Sequence, residues 1–363
     1  MRPKPYLEPM ALRGRIDRPQ PLGLPIVNIG FNELPYHPLP SVLAEVNAVS
    51  AQAQSYGSPH CDALRDGLAA HNRLKADHII CGNGSEELLD VIARCFARPG
   101  DEILISQFGY IQFALTTHRV GATLVKSPET AFTADVDALL AAMTAKTRLV
   151  FLANPNNPTG TMIAPQDLQH LVRAVPSEVV LVLDLAYGEF AEPGYCAAVH
   201  KLVETHENLI VTRTFSKAYG LAGLRVGWCH AAEWMIAVLY AARGMGTVNA
   251  VAQAGALAVL KEQAAIDQRI AEVKSKRARL AGALGQLGLE VIPSQANFMM
   301  ARFRDGTANV TERLVEHLFD QGGFIVNRTR EPGLKEFFRF SLHLPANNDR
   351  LIDCIRDFQT TKR

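Results

Sequence analysis

The sequence predicts an α/β protein whose larger unit is built on a mainly parallel sheet and is followed by a smaller α+β unit. Three observations carry this. Between about residues 62 and 230, unbroken apolar runs alternate with helical stretches: Ile79–Cys81, Ile103–Ile105, Leu149–Ala153, Val179–Leu183 and Leu209–Val211. Unbroken runs mark strands covered on both faces, as in a parallel sheet with helices on each side. Beyond residue 231 the texture turns helical and Ala-rich, then mixes strands with helices. The chain has 363 residues, which suits more than one compact unit.

Residues 1–30 are rich in Pro, Arg and Gly without periodicity and read as an extended arm. Pro35, Pro38 and Pro40 break the chain before a short helix at about 41–53. Leu88, Leu89, Ile92 and Phe96 recur at helical spacing after Ser85. Within the helical stretch 231–284, Ile266, Ile270, Val273, Leu280 and Leu284 share one face of a long helix. Asn297–Phe303, Phe324–Asn327 and Phe338–His343 read as strands, with helices at about 310–320 and 347–358. The expected organisation is an arm over 1–30, a large α/β domain over 31–240 and a small α+β domain over 241–363, with the arm joining the small domain.

Composition narrows the classes. The formal net charge is +1, so no broad basic field invites nucleic acid or anionic membrane, and any bound phosphate needs a local site. Six cysteines are scattered without a CxxC pair or zinc spacing, so they read as inert thiols and no metal site is expected. The N-terminal stretch lacks an apolar signal core, and no run reaches membrane-spanning length. A cytoplasmic location is the expectation.

Four segments carry chemistry. Gly82-Asn83-Gly84-Ser85-Glu86 joins a strand to a helix start, where free N–H groups make either a plain turn or an anion site. Asn154-Pro155-Asn156-Asn157-Pro158-Thr159-Gly160 is a rigid turn that fixes Asn157 at the carboxyl end of a strand, the edge where α/β sheets place ligands. Asp184 follows five apolar residues and either caps a helix or holds a buried cation. Thr214-Phe215-Ser216-Lys217, then Gly223-Leu224-Arg225, offers either a surface lysine or a desolvated amine with a guanidinium near enough to share an anion.

Taken in this order and spacing, NGSEE, NPNNPTG, DLAY and TFSKAYGLAGLRVG resemble the fold-type I pyridoxal-5′-phosphate (PLP) aminotransferases, and among them the histidinol-phosphate aminotransferase branch, over about residues 28–358. The resemblance implies the fold type I architecture, with a mainly parallel seven-stranded sheet. Lys217 would carry the cofactor aldehyde and move the substrate proton. Asp184 would keep the pyridine nitrogen protonated, which improves the ring as an electron sink. Asn157 and Tyr187 would hydrogen-bond the phenolic oxygen. Backbone N–H groups of Ser85 and Glu86, the hydroxyls of Thr214 and Ser216, and Arg225 would grip the phosphate. Tyr110 would stack on the ring, against the alternative of core packing. Tyr56 matches the tyrosine that reaches the phosphate of the partner subunit, which makes the working unit a homodimer.

On the substrate side, Arg339 in Phe338-Arg339-Phe340-Ser341-Leu342 matches the arginine that binds the α-carboxylate. Ser294-Gln295-Ala296-Asn297-Phe298 resembles the substrate-side segment, with no catalytic role for Asn297. Two stretches depart from the branch. An arginine that helps bind a substrate phosphate usually follows the strand near 324–326; here Asn327 stands there, with Arg328 next and Arg330 beyond. Arg328 is entered as the substrate-phosphate candidate, although a one-residue shift turns a strand side chain to the other face. The segment Gly30–Tyr36 is also altered. The expected activity moves an amino group between an amino acid or histidinol-phosphate-like donor and a 2-oxo acid such as 2-oxoglutarate. An aromatic or other non-phosphorylated donor is the rival, and the cofactor motifs alone also permit decarboxylation, elimination or racemisation. A PLP-sensing regulator is disfavoured because the first cofactor motif begins at Gly82 without a basic recognition patch before it. No GxGxxG follows a strand, which disfavours a nucleotide-dependent oxidoreductase.

Overall fold

The computed structural model describes residues 23–361, so residues 1–22 of the expected arm lie outside the described residues. Seven strands form one sheet: β1 (Ile79–Gly82), β2 (Glu102–Ser106), β3 (Thr123–Ser127), β4 (Thr147–Ala153), β5 (Val180–Asp184), β6 (Leu209–Thr214) and β7 (Gly227–His230). Their spatial order is β1-β7-β6-β5-β4-β2-β3. Only β7 runs antiparallel to its neighbours. Alternate residues feed opposite cores: Ile103 and Ile105 enter one, Leu104 the other, and Phe151 and Val150 divide the same way. This two-sided burial is why the strands read as unbroken apolar runs.

The sheet contains two strands that the apolar runs did not mark. β3 is an edge strand whose Thr123 and Lys126 are exposed, and β7 is a four-residue strand that opens on Gly227 and ends on His230. The expected single strand Phe324–Asn327 is two short ones. Phe324–Ile325 pairs in parallel with Val27–Asn28, and the chain then changes partner at Val326. A second, antiparallel sheet contains β8 (Leu289–Ile292), β9 (Phe298–Phe303), β10 (Asn327–Arg328) and β11 (Phe338–Ser341), in the order β8-β9-β11-β10. The described end of the arm is stitched to this side, since Ser341 N donates to Ile29 O at 2.6 Å.

The helical stretch after 231 is three helices, Glu233–Ala242, Ala250–Val259 and Gln263–Gln286. The Asn249 side chain accepts from Ala252 N at 2.8 Å and so caps the second. In the third, Ile266, Val273, Leu280 and Leu284 are buried, with Ile270 packed beside them. Among the described residues, no helix is long and apolar enough to cross a membrane.

The face of β6 opposite Thr212 and Thr214 carries a buried polar chain. Arg213 donates to Glu189 Oε1 at 2.7 Å, and its Nη1 lies 3.1 Å from His200 Nε2. His200 Nδ1 in turn lies 3.1 Å from His230 Nδ1. Burial holds the His230 imidazole down to about 4, helped by the charge of His78, and holds His200 well below its usual value, helped by Arg213. The unfolded chain therefore takes up protons near pH 6.5 that the native state refuses until about pH 4. Native stability is expected to fall as pH drops through that window. Melting temperatures between pH 7 and 4 check this, and His230→Asn should flatten the acid slope; an unchanged slope in a folded variant would refute the assignment.

Candidate active site

The strands β1, β2, β4, β5 and β6 all end at the same edge of the sheet, and each of the four singled-out segments leaves from that edge. At one end lies a donor-rich cradle. Gly84, at φ +79°, precedes the helix Ser85–Phe96, and a Cβ there would lie 2.5 Å from Arg225 Nη2. A Cβ on Gly227 would lie 2.4 Å from Ser85 N. The positive φ at Gly84 and the backbone contact at Gly227 both favour glycine, so the helix start, the β6 loop and Arg225 close on one small space. Thr214 Oγ1 donates to Ser216 Oγ at 3.0 Å and accepts from Ser216 N at 3.1 Å. Arg225 Nη1 reaches Ser216 Oγ at 3.5 Å. Two hydroxyls, a guanidinium and a helix N-terminus thus converge.

Glu86 adds a feature that its backbone role did not suggest. Its carboxylate accepts from Tyr110 Oη at 2.6 Å and pairs with Arg225 Nη2 at 3.3 Å. Burial and this carboxylate push the Tyr110 phenol well up. Tyr110 meets Phe113 edge to face at 5.7 Å, so part of its ring is packing surface.

At the centre, Asp184 is buried at the end of β5. Its Oδ1 accepts from Thr212 Oγ1 at 3.0 Å and from Ala186 N at 3.1 Å. Burial raises its carboxyl to about 6, even though both hydrogen bonds oppose that rise. Among the described residues it forms no ion pair. Lys217 is the converse case. Its Nζ donates to the carbonyls of Phe31 at 3.1 Å and Asn32 at 3.2 Å, and among the described residues it meets no carboxylate within ion-pair distance. Burial, then repulsion from Arg339, lowers the amine to about 8. Tyr187 is buried next to it, with Lys217 Nζ 5.8 Å from the ring centre, and its Oη accepts from Asn32 Nδ2 at 2.9 Å. Burial lifts the phenol to about 12, against the pull of Arg339 and Asn32.

The far side is formed by the C-terminal sheet. Arg339 on β11 donates to Gly30 O at 2.7 Å and to Asn157 Oδ1, and its guanidinium lies 5.3 Å from the Phe298 ring centre. Asn157, which leaves β4 in a turn with cis peptides at Asn154–Pro155 and Asn157–Pro158, thereby joins the two sheets. In the β10–β11 register Asn327 stands opposite Arg339, and Arg328 stands opposite Phe338. Arg328 therefore faces away from the site, and its guanidinium lies 3.4 Å from both Glu312 and Glu316 of the helix Ala308–Gly322. The one-residue offset in the strand thus places the side chain of this expected substrate residue on the face opposite Arg339. Tyr56 is fully exposed and forms no hydrogen bond with the described residues of the cluster.

The structure brings Ser85, Glu86, Tyr110, Asn157, Asp184, Tyr187, Thr214, Ser216, Lys217, Arg225 and Arg339 to one edge, and leaves Tyr56 and Arg328 outside it. It adds Thr212, which lies two residues before Thr214 on the same strand face, and Asn32. The sequence signal for Thr212 was its alternation with Thr214. Asn32 offered only an asparagine in an irregular segment; it takes φ 58°, a conformation asparagine tolerates better than most residues. The donor set fits a ligand with an anionic group at the cradle, a cation facing Asp184 and an amine-reactive carbon near Lys217. Pyridoxal phosphate has these three features. Among the described residues, no group of three or more His, Cys, Asp or Glu could hold a metal ion.

Known proteins are similar to this chain. The family model described as aminotransferase class I and II matches residues 25–355. A histidinol-phosphate aminotransferase of Roseobacter denitrificans is 39% identical over 333 residues, covering 92% of this chain and 91% of that protein. One from Erythrobacter litoralis is 39% identical over 338 residues, with coverage of 92% and 91%. The crystal structure of histidinol-phosphate aminotransferase from Sinorhizobium meliloti in complex with pyridoxal-5′-phosphate superposes with a TM-score of 0.87 at 28% identity, covering 93% of this chain and 91% of that one.

Proposed function

Because the chain belongs to the aminotransferase class I and II family, we propose that Lys217 is its catalytic amine and that Arg339 anchors the amino donor by its α-carboxylate. The protein is a pyridoxal-phosphate-dependent aminotransferase. When bound, the cofactor supplies an aldehyde that accepts the amino group and a ring that takes up the electron pair left when the substrate Cα–H bond breaks. The chain supplies the rest. Lys217, with an amine near 8, can accept that proton and return it. Asp184 would hold a positive charge at the ring nitrogen. Asn157 and Tyr187 would hold the phenolic oxygen, and Tyr110 would pack against the ring. The backbone N–H groups of Ser85 and Glu86, with Thr214, Ser216 and Arg225, would hold the phosphate. The observation that carries this reading is the meeting, at one sheet edge, of a half-buried amine and a buried carboxylate that, among the described residues, have no ion-pair partner.

The donor we propose is a carboxylate-bearing amino acid, with a 2-oxo acid such as 2-oxoglutarate as acceptor. Asn327, not an arginine, lies across from Arg339, and Arg328 is held on the opposite face by two glutamates. Neither Asn327 nor Arg328 therefore sets a second guanidinium beside Arg339 for a donor phosphate. The other reading, histidinol phosphate as donor, is favoured by the names of the relatives at 39% identity. The loaded protein mixed with single donors separates the two, with the visible spectrum followed as the amino group moves to the cofactor. Aromatic amino acids and glutamate are expected to react, and histidinol phosphate to react at least 10-fold more slowly. Arg339→Lys is expected to raise KM for the preferred donor by roughly 10- to 100-fold through loss of the bidentate fork. Faster reaction with histidinol phosphate, or an unchanged KM in the variant, would overturn the assignment. We also propose a homodimer in which exposed Tyr56 reaches the neighbouring site.

A further inference from the structure

We propose that Asn32 is a positioning residue that aims the proton of Tyr187 and parks the amine of Lys217. The proposal rests on the aminotransferase reading of the site. Asn32 is buried, yet it comes from an irregular segment far in sequence from everything it touches. Its N–H donates to Ser341 Oγ at 2.8 Å, on the strand that carries Arg339. Its carbonyl accepts from Lys217 Nζ at 3.2 Å and from Asn297 Nδ2 at 3.0 Å. Its side-chain Nδ2 donates to Tyr187 Oη at 2.9 Å. One residue thus ties the loops after β5 and β6 to β11 and to the residue that leads into β9.

The consequence for Tyr187 follows from counting protons. A phenol has one proton to give. Because Asn32 donates into the phenol oxygen, that proton is directed elsewhere, and among the described residues Tyr187 has no hydrogen-bond acceptor of its own. A phenol that accepts one hydrogen bond gives its own proton more strongly. Tyr187 is therefore set up as a donor to the phenolic oxygen of the cofactor. The Asn32 contact also opposes the upward push that burial exerts on the phenol.

The consequence for Lys217 follows from the kind of acceptor. Two uncharged carbonyls, Phe31 O and Asn32 O, receive its N–H groups. A carboxylate in that place would fix the ammonium form, whereas carbonyls hold the amine in position and leave its proton removable. The parking spot serves whenever the amine is not joined to the cofactor.

Turning the Asn32 amide round would reverse the prediction, because Tyr187 would then give its proton to Asn32. The test uses cofactor-loaded wild type, Asn32→Ala and Asn32→Asp, and reads the pH midpoint of the visible absorbance. If Asn32 aims the phenol proton outward, losing it weakens Tyr187 as a donor, so the bound chromophore holds its proton more tightly. Asn32→Ala is expected to raise the midpoint by about one pH unit, the scale of one hydrogen bond to a charged form. Asn32→Asp keeps the shape and the tolerance of positive φ but accepts instead of donating, and should raise it further. In both, kcat is expected to fall at least 10-fold with KM for the donor changed less, since Arg339 is untouched. In cofactor-free protein, acylation of Lys217 should shift its pH dependence upward in Asn32→Asp, because the new carboxylate favours the ammonium form. A downward or unchanged midpoint in Asn32→Ala overturns the proposal; if that variant does not fold, an unchanged midpoint in Asn32→Asp does so. Failure of the underlying reading would look different, because wild type and Lys217→Ala would then share one spectrum.

Discussion

Lys217→Ala is expected to abolish amino transfer while leaving a folded protein that still binds pyridoxal phosphate. Acid–base catalysis alone accounts for roughly 10²- to 10⁴-fold, and the variant also lacks the amine that joins the cofactor. A loss in kcat of about 10⁴-fold or more is therefore expected. The fold should survive. The substitution removes a half-buried amine that desolvation already disfavours as a cation, and it leaves only the Phe31 carbonyl short of a donor, since Asn32 O keeps its bond from Asn297 Nδ2. That costs about 1–3 kcal/mol per unsatisfied group, less than the stability of an ordinary domain. The cradle of Thr214, Ser216 and Arg225 does not depend on the amine, so phosphate-end binding persists. Borohydride reduction of loaded wild type followed by peptide mapping should label position 217, and the variant should take no label. Label on any other lysine, or transfer surviving in the variant, would remove Lys217 from the centre of the site. Partial rescue by a small alkylamine would show that the missing group is a proton carrier and not a piece of the fold.

The parts of the site legible in the sequence are those that lie in short contiguous segments at strand ends. Asp184 stood out because five apolar residues precede it, and the structure shows why: β5 is buried along its whole length and delivers that carboxylate to the ligand edge. The strands of the sheet interior were legible for the same reason, whereas β3, with an exposed lysine at the sheet edge, and β8, Leu-Glu-Val-Ile with its two central residues only half-buried, carry no unbroken apolar run. What depends on register was not legible. Arg328 and Asn327 are neighbours in sequence but face opposite sides of one short strand, and only the pairing with β11 settles which of them stands beside Arg339. What depends on packing between distant segments was also hidden. Asn32 and Tyr187 lie 155 residues apart, and no periodicity links them. Glu86 was expected through its backbone N–H, yet its side chain bridges Tyr110 and Arg225, a contact set by where those two loops meet.

Asp184→Asn should have opposite effects on the empty and the loaded protein. In the empty protein the Asp184 carboxyl is raised from 3.8 to about 6 by burial. A raised folded value means that the native state keeps a proton the unfolded chain releases. The resulting stability is present below pH 4 and lost as pH rises through about 6. Above that pH the buried charge costs about 3 kcal/mol, from a rise of roughly two pH units. Asparagine carries no such charge, can still accept from Thr212 and the Ala186 N–H, and should make the cofactor-free protein more stable than wild type at pH 7.5. The loaded protein should reverse the order. There the carboxylate faces a ring nitrogen it keeps cationic, and removing one partner of a buried charge pair costs about 3–5 kcal/mol. A fall in kcat of about 10³-fold and weaker cofactor binding are expected, since a neutral amide cannot hold the ring in its electron-accepting form. Melting temperatures of both proteins, empty and loaded, between pH 4 and 8 give the whole pattern. The two curves should cross between the empty and loaded states, and the alkaline loss of stability expected of empty wild type should be absent from the variant. If the empty proteins share one pH dependence, Asp184 does not carry the strain its burial implies; if loading stabilises both equally, the carboxylate does not meet the cation on which its role depends.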